Sequence, residues 1–441
     1  MLLIRGYSPS PQRLCGGRSS RNKPHSRTGH ADYHQSASAV TRIVVIGGGP
    51  AGTFAALAAK KQDPAADVVL LTDEHCEPYE KPPLSKGVLV GKVRPADAPI
   101  AGPGGLAAHG VVLECSARVQ AIDREARTVL LEDGRRIAYG ALVIATGSLV
   151  RELPHLPIGM PHVHYLRTEG DAERLKTRLR ETRHLLVVGA GLIGLEVAAS
   201  AAELGVRTTV VEVAPRILAR VCDEEIGGLI EAEHRRRGVD LRLRCAIASV
   251  RTDDRDAQAV TTTGEQLTAD LIVVGTGAKP NDRLAASAGL AIDDGIVVDE
   301  YCRTSDPAIL GAGDVVRFPG PHGPVRLENW RHAQDHGAVA GRNAAGASEP
   351  YQTVPSFWSE QYDLYIQGVG WPVAGTERVR RPMPGNAALA FDLSDGRLVG
   401  ASGINAQKDL AAVRRLIERR IPVDAAALAD PARPLATLLK R

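Results

Sequence analysis

Two glycine runs, five acids and a lysine carry the chemistry that this sequence offers. Gly47, Gly49 and Gly52 spell G-x-G-x-x-G directly after the apolar run Ile43-Val44-Val45-Ile46. Gly189, Gly191 and Gly194 repeat the pattern after His184-Leu185-Leu186-Val187-Val188. The first glycine of such a motif makes a tight turn out of a strand, the second lets backbone approach a pyrophosphate, and the third lets the next helix lie close to the sheet. Unpaired N–H groups at the helix start then face the phosphates. One such turn also suits packing alone. Two of them, each followed by an acid in register, point to two dinucleotide sites.

The acids have defined places. Asp73 lies about 20 residues beyond the first glycines, where a carboxylate can accept from a ribose hydroxyl, and Glu74 is a second candidate. Glu212 holds the equivalent position in the second unit. An acid there suits a free 2′-hydroxyl and favours NADH over NADPH, although Arg216 just beyond it could meet a 2′-phosphate. Asp314 ends the run Ile309-Leu310-Gly311-Ala312-Gly313, where it can accept from the hydroxyls of a sugar-alcohol chain. Glu196 is expected in the first turn of an apolar helix, where the helix dipole favours a carboxylate. Lys86 closes a segment, Pro78 to Lys86, whose prolines stiffen the chain and can hold the lysine in place.

Elements must position these groups. The spacing predicts a helix over Thr53 to Lys61 and strands over Asp67 to Leu71 and Ala141 to Ile144. The last of these runs into the small residues Ala145-Thr146-Gly147, with Arg151 near enough to neutralise a pyrophosphate. Glu114 to Leu131 and Arg135 to Tyr139 read as short strands around a turn at Asp133-Gly134. The second unit repeats strand, helix (Leu195 to Leu204) and strand (Thr208 to Val211), and a further strand leads to Gly277. A helix starts at Glu328-Asn329-Trp330. Beyond residue 350 come an aromatic cluster, a hairpin around Asp395-Gly396 and an amphipathic helix over Leu410 to Arg420.

A chain of 441 residues exceeds one ordinary core, so two or three domains are expected. The net charge of +3 gives no reason to expect a nucleic-acid partner. No apolar run reaches the roughly 20 residues of a membrane span. The cysteines at 15, 76, 115, 222, 245 and 302 show no C-x-x-C or metal-ligand spacing, so neither a disulfide framework nor a metal site is expected, and a reducing, cytoplasmic setting fits. Residues 1–40 are rich in Arg and Ser with no acid before Asp32, and read as a disordered extension.

From about residue 41 to the C terminus the chain resembles the FAD-dependent ferredoxin reductases that serve Rieske-type oxygenases and some cytochromes P-450. The resemblance rests on Pro78 to Lys86, Gly311 to Asp314, Arg326-Leu327-Glu328-Asn329-Trp330, Phe357-Trp358-Ser359-Glu360-Gln361, and the tail from Gly396 through Asn405 to Pro431. It implies an α/β fold of two Rossmann-like domains plus a small α+β C-terminal domain. The FAD domain would be discontinuous, residues 41–160 and 283–349, with the NAD domain at 161–282 and the closing interface domain at 350–441. FAD would lie on Gly47, Gly49, Pro50, Ala51, Gly52, Asp73 or Glu74, Lys81, Lys86, Val119, Ala145, Thr146, Gly147, Arg151, Asp314 and Trp358. The nicotinamide cofactor would lie on Gly189, Gly191, Leu192, Ile193, Gly194, Glu196, Glu212 and Gly277. Lys86 and Glu196 would form an ion pair beside the flavin, in an electrostatic and positioning role.

The resemblance implies an NADH-dependent reductase, monomer or homodimer, that passes electrons through FAD to a 2Fe-2S ferredoxin. His332 and His336 depart from it, standing where relatives have Asn and Gln. The disulfide-reductase branches carry catalytic cysteines facing the flavin, and this chain has none there; Cys76 reads as structural. A reductase of a small acceptor or of rubredoxin, akin to monodehydroascorbate reductase, is the alternative enzyme. A redox-responsive interaction protein like apoptosis-inducing factor is the non-enzymatic one. Arginine-rich runs at Arg174 to Arg183, Arg235 to Arg237, Arg378 to Arg381 and Arg414 to Arg420 could steer an acidic partner or be solvated helix faces.

Overall fold

The computed structural model describes residues 42–371 and 376–440, and the expected disordered extension, residues 1–40, lies outside them. The first unit runs β1 (Arg42–Ile46), α1 (Pro50–Gln62), β2 (Asp67–Leu71), β3 (Val112–Glu114) and β4 (Ala141–Ile144). The second comprises β5 (Val163–Tyr165), α2 (Glu169–Leu179), β6 (His184–Val188), α3 (Leu192–Glu203), β7 (Arg207–Glu212), α4 (Glu224–Arg236), β8 (Asp240–Leu243) and β9 (Leu271–Val274). The chain then returns to the first unit with β10 (Ile309–Gly311) and α5 (Trp330–Ala344).

Each unit is a five-stranded parallel sheet, ordered β10-β4-β1-β2-β3 and β8-β7-β6-β9-β5. Strands buried on both faces need continuous apolar runs, and the central strands supply them: Ile43 to Ile46 and Leu185 to Val188 are all buried. Burying such side chains is worth roughly 1.5–3 kcal/mol each. The chain leaves β1 toward β2 on one side and reaches β4 on the other, so a crevice opens beyond the carboxyl end of β1. β6 has the same placement in its own sheet.

Helix α5 lies backbone-close against α1. A Cβ on Gly337 would stand 2.1 Å from the Ala51 carbonyl oxygen, and one on Gly341 2.0 Å from that of Ala55. Glycines four apart lie on one helical face, so they allow the approach that sets Asn329 and Trp330 beside the start of α1. The region after β2 holds more strands than its pattern suggests. Glu114 ends β3, and the following residues form an antiparallel meander of Val119–Asp123, Thr128–Leu131 and Arg136–Ala138, with the last turn at Asp133-Gly134 as expected.

The third unit is antiparallel: β11 (Ser356–Gln361), β12 (Leu364–Gly370), β13 (Glu377–Arg381), β14 (Ala388–Ser394) and β15 (Arg397–Ile404), ordered β11-β12-β15-β14-β13, followed by α6 (Gln407–Glu418). Alternation gives the sheet two apolar faces. Ile366, Ala390 and Ile404 join the core of the second unit, while Leu389, Phe391 and Leu393 pack with Leu410, Val413 and Leu416 of α6. The third unit is thus clamped to the second. Tyr351 packs into the first unit, 4.4 Å from His336 and 5.4 Å from Phe318 between ring centroids.

Candidate functional site

The two glycine turns are physically equivalent, residue for residue. Gly47 has φ +114° and Gly189 φ +105°, and a Cβ on either would strike a carbonyl oxygen of the neighbouring strand end, that of Ala145 at 2.3 Å or of Gly275 at 2.6 Å. Only glycine fits there. A Cβ on Gly52 or Gly194 would stand 1.9 or 2.1 Å from the carbonyl oxygen of the first glycine of its own motif, so each helix is seated directly on its turn. Gly49 and Gly191 differ: a Cβ there meets no atom of the described residues within 4 Å. Protein packing therefore places no demand on these two positions. Both cap their helices without a side-chain hydrogen bond, and neither helix has an acid in its first turn, so the leading N–H groups face the crevice unneutralised.

A cleft of about 1100 Å³ opens at the carboxyl end of β1. Of the first-unit candidates, Gly47, Gly49, Pro50, Ala51, Asp73, Glu74, Lys81, Lys86, Val119, Ala145, Thr146, Gly147 and Asp314 line it, as does Trp358 from the third unit. Gly52 sits behind the turn. Arg151 is also outside: its guanidinium donates to the carbonyl of Ala278 at 3.2 Å, across the small antiparallel pair of Ser148–Val150 and Ala278–Pro280. Of the second-unit candidates, Leu192, Ile193 and Glu196 line the same cleft. Gly189, Gly191, Gly194, Glu212 and Gly277 lie off it. Glu212 accepts from the Ala190 N–H at 2.7 Å, which brings the acid onto the second glycine turn, as its position at the end of β7 requires. Arg216 is turned away and donates to the Ala219 carbonyl at 2.9 Å.

Of the two acids after β2, Glu74 is held and Asp73 is exposed. Glu74 accepts from the Tyr79 hydroxyl at 2.5 Å and from Lys81 at 2.9 Å, whereas Asp73, among the described residues, reaches only Arg118, at 3.5 Å. The proline segment does this work: Tyr79 is buried, its hydroxyl also accepts from the Glu169 N–H at 2.7 Å, and a 3₁₀ turn over Pro82–Ser85 presents Lys86. Asp314 accepts from the Ser148 hydroxyl at 3.2 Å and faces Arg167 at 3.6 Å. Burial pushes its carboxyl above the usual range, and Arg167 opposes that shift.

Glu196 is the junction of all three units. The helix begins at Leu192, so Glu196 stands in its second turn, and the expected placement in the first turn, with stabilisation by the helix dipole, is corrected. Its carboxylate is held by side chains instead. Lys86 lies 3.3 Å away, the Ser85 hydroxyl donates to one oxygen and the Ser359 hydroxyl donates to the other at 2.6 Å. Only 4 % of the Glu196 side chain is exposed and 16 % of Lys86, so the pair is screened little by solvent. Trp358, beside Ser359, meets Trp330 edge to face at 5.6 Å on the cleft wall.

Several cleft residues escape sequence reasoning. Arg118, Arg167 and Arg283 line the wall and add positive charge around it, but no local pattern marks them, because each comes from a different connection. Ser85 and Ser359 could have been suspected from their neighbours Lys86 and Trp358. Cys76 does not line the cleft; its thiol donates to Glu169 at 3.3 Å, and burial, then that carboxylate, pushes it up to about 12. No disulfide occurs among the described residues. A long cleft with a bare helix start, several cations and an acid at its far end fits a dinucleotide carrying a sugar-alcohol chain.

Comparison with known proteins agrees with this geometry. The profile of the pyridine nucleotide-disulphide oxidoreductase family matches residues 41–337, and that of the reductase C-terminal domain matches residues 356–439. Rhodocoxin reductase of Rhodococcus erythropolis is 38% identical over 399 residues, covering 88% of this chain and 92% of that one. The ferredoxin–NAD(+) reductase component of the anthranilate 1,2-dioxygenase system of Burkholderia cepacia is 39% identical over 404 residues, 90% of this chain and 99% of that one. Among solved structures, a chain of the covalent putidaredoxin reductase–putidaredoxin complex superposes with a TM-score of 0.85 at 31% identity, covering 91% of this chain and 99% of that one. A ferredoxin reductase from Rhodopseudomonas palustris gives 0.86 at 33%, covering 90% and 99%.

Proposed function

The chain belongs to the pyridine nucleotide-disulphide oxidoreductase family, and from that membership and the cleft we propose that it is an NADH-dependent reductase passing electrons through FAD to a 2Fe-2S ferredoxin that feeds an oxygenase. FAD and a pyridine nucleotide are the cofactors of the family. The observation that carries the reading is that the start of α3 lines the cleft built on the β1–α1 turn, so the second unit's cofactor and the first unit's flavin would meet at Glu196. Asp314, with its neighbour Ser148, supports placing FAD in the first unit, since a carboxyl beside a hydroxyl suits the ribityl chain.

When bound, flavin and nicotinamide supply hydride and single-electron chemistry. The chain's own part is to bind, orient and exclude water. The β1–α1 turn and the nearby arginines would hold pyrophosphate, Glu74 ribose, and the β6–α3 turn with Glu212 the second dinucleotide. Glu212 at the second turn, with Arg216 engaged elsewhere, favours NADH over NADPH. Lys86 sets a positive charge at the cleft floor and Glu196 fixes it there, while Trp358 and Trp330 wall off solvent. The ferredoxin partner rests on the relatives named above; a monomer or homodimer in a reducing, cytoplasmic setting completes the reading.

The test is cytochrome c reduction by the purified protein with NADH, with and without a 2Fe-2S ferredoxin encoded nearby. The expected result is a rate that rises with ferredoxin to saturation. Full activity with a quinone or ascorbate radical and none with ferredoxin would replace this reading with reduction of a small acceptor.

A further inference from the structure

A buried chain of side chains runs from Glu196 through the third unit to the last turn of α4. The Gln361 amide N–H donates to the Ser359 oxygen at 3.0 Å, His234 Nε2 lies 2.8 Å from Gln361 Oε1, and the Tyr362 hydroxyl lies 3.2 Å from His234 Nδ1. Ser359, Gln361 and His234 are each at most 1 % exposed. Polar groups this deep are costly unless each is paired, and here the pairing forces one direction on the whole chain. A carboxylate only accepts, so Ser359 must donate to Glu196 and must itself accept from the amide N–H of Gln361. The Gln361 oxygen then faces His234, which must carry its proton on Nε2. Nδ1 is left with a lone pair, so the Tyr362 hydroxyl donates to it.

We propose that Ser359, Gln361, His234 and Tyr362 form a one-way hydrogen-bond relay that positions Glu196 toward Lys86, so that the third unit takes part in hydride transfer as well as covering the cleft. The inference rests on the functional reading above. Donors aligned head to tail polarise one another, so the last of them, Ser359, is a stronger donor to the carboxylate than an isolated serine. The geometry also explains why the β11–β12 hairpin needs its tight corner. Tyr362 has φ +57°, which returns the chain within two residues and lets Gln361 and Tyr362 reach the two nitrogens of one imidazole. The Arg237 guanidinium lies 4.9 Å over the Tyr362 ring and fixes the outer end. None of the four residues lines the cleft, and all act through Glu196.

Two measurements on the purified holoprotein test this. In a ¹⁵N-histidine spectrum, the signal lost in His234→Asn should report the Nε2–H tautomer at neutral pH; an Nδ1–H tautomer would reverse the chain and overturn the proposal. In stopped-flow reduction by saturating NADH, Ser359→Ala should slow bleaching of the flavin by about tenfold. Flavin content should be unchanged, Ser359→Thr should restore the rate, and Tyr362→Phe should give a smaller loss in the same direction. Wild-type bleaching with Ser359→Ala at the same limiting rate would overturn the relay alone. No bleaching of the wild-type flavin by NADH would overturn the functional reading beneath it.

Discussion

Two alanine substitutions three residues apart separate what seats the first helix from what the turn is open for. Gly52→Ala puts a Cβ 1.9 Å from the Gly47 carbonyl oxygen, so backbone must move, and a loss of about 3 kcal/mol or more of stability is expected. Gly49→Ala meets nothing among the described residues. Its melting temperature should stay within about 2 °C of wild type, while the FAD dissociation constant rises by about tenfold or more, because the methyl would occupy the space left for a pyrophosphate. Thermal melts and FAD titration of the flavin-stripped variants decide it, and Gly49→Ala with undiminished FAD affinity would remove the phosphate role. The distinct jobs of these glycines were readable from their spacing because the constraint is local. From its own surroundings in the sequence Glu196 was readable only as an anomaly, a carboxylate in an apolar helix; its pairing with Lys86 came from the family resemblance. Its partners Ser85 and Ser359 lie 111 and 163 residues away in sequence, and only the meeting of three units brings them within reach.

At the scale of the element, α5 stores a pH dependence. His332 and His336 are buried between Phe318 and Tyr351, His332 bonded through Nδ1 to the Tyr351 hydroxyl at 2.8 Å. Burial pushes His332 down to about 4 and His336 well below the ordinary range. In the unfolded chain both would take up protons near pH 6.5; folded, they stay neutral. Stability is therefore full above that pH and falls as acid is added toward pH 4, by about 1.4 kcal/mol per pH unit for each group. His164, His184 and His234 are lowered by burial too and add the same sign, so a variant is needed to isolate α5. Urea midpoints at pH 7.5 and 5 should differ strongly in wild type and less in His336→Gln; equal slopes in the two proteins would refute this account. The elements themselves were largely legible. β2, β4 and β6 match their apolar runs to the residue because strands buried on both faces leave an uninterrupted signal. The meander after β3 was blurred, since its short half-exposed strands leave no continuous run and their pairing is set by each other.

For the whole molecule the question is what its many arginines do. The runs that could have steered a partner are mostly engaged within the chain. Arg235 pairs with Glu231 at 2.9 Å, Arg236 and Arg237 share Glu233, and Arg381 donates to the carbonyls of Leu428 and Arg433. Arg378 reaches Asp223 at 2.7 Å and Arg380 pairs with Glu225, so β13 is tied to the start of α4. These two kinds of pair differ in what their loss should do. Asp223 caps α4 and its side chain is 2 % exposed, so Arg378→Ala leaves a buried carboxylate without its cation. A loss of about 1–3 kcal/mol is expected, reduced because Arg378 itself is partly solvated. Loosening β13 loosens the sheet that carries Ser359, so flavin reduction by NADH should slow as well. Arg236→Gln removes an exposed cation and leaves Arg237 paired with Glu233, so it should change stability by less than about 0.5 kcal/mol and leave the KM for ferredoxin unaltered. Equilibrium unfolding with ferredoxin-dependent turnover separates the two. A raised ferredoxin KM in Arg236→Gln would put the partner's landing surface on α4, and wild-type flavin reduction in a destabilised Arg378→Ala would show that the third unit can shift without disturbing Glu196.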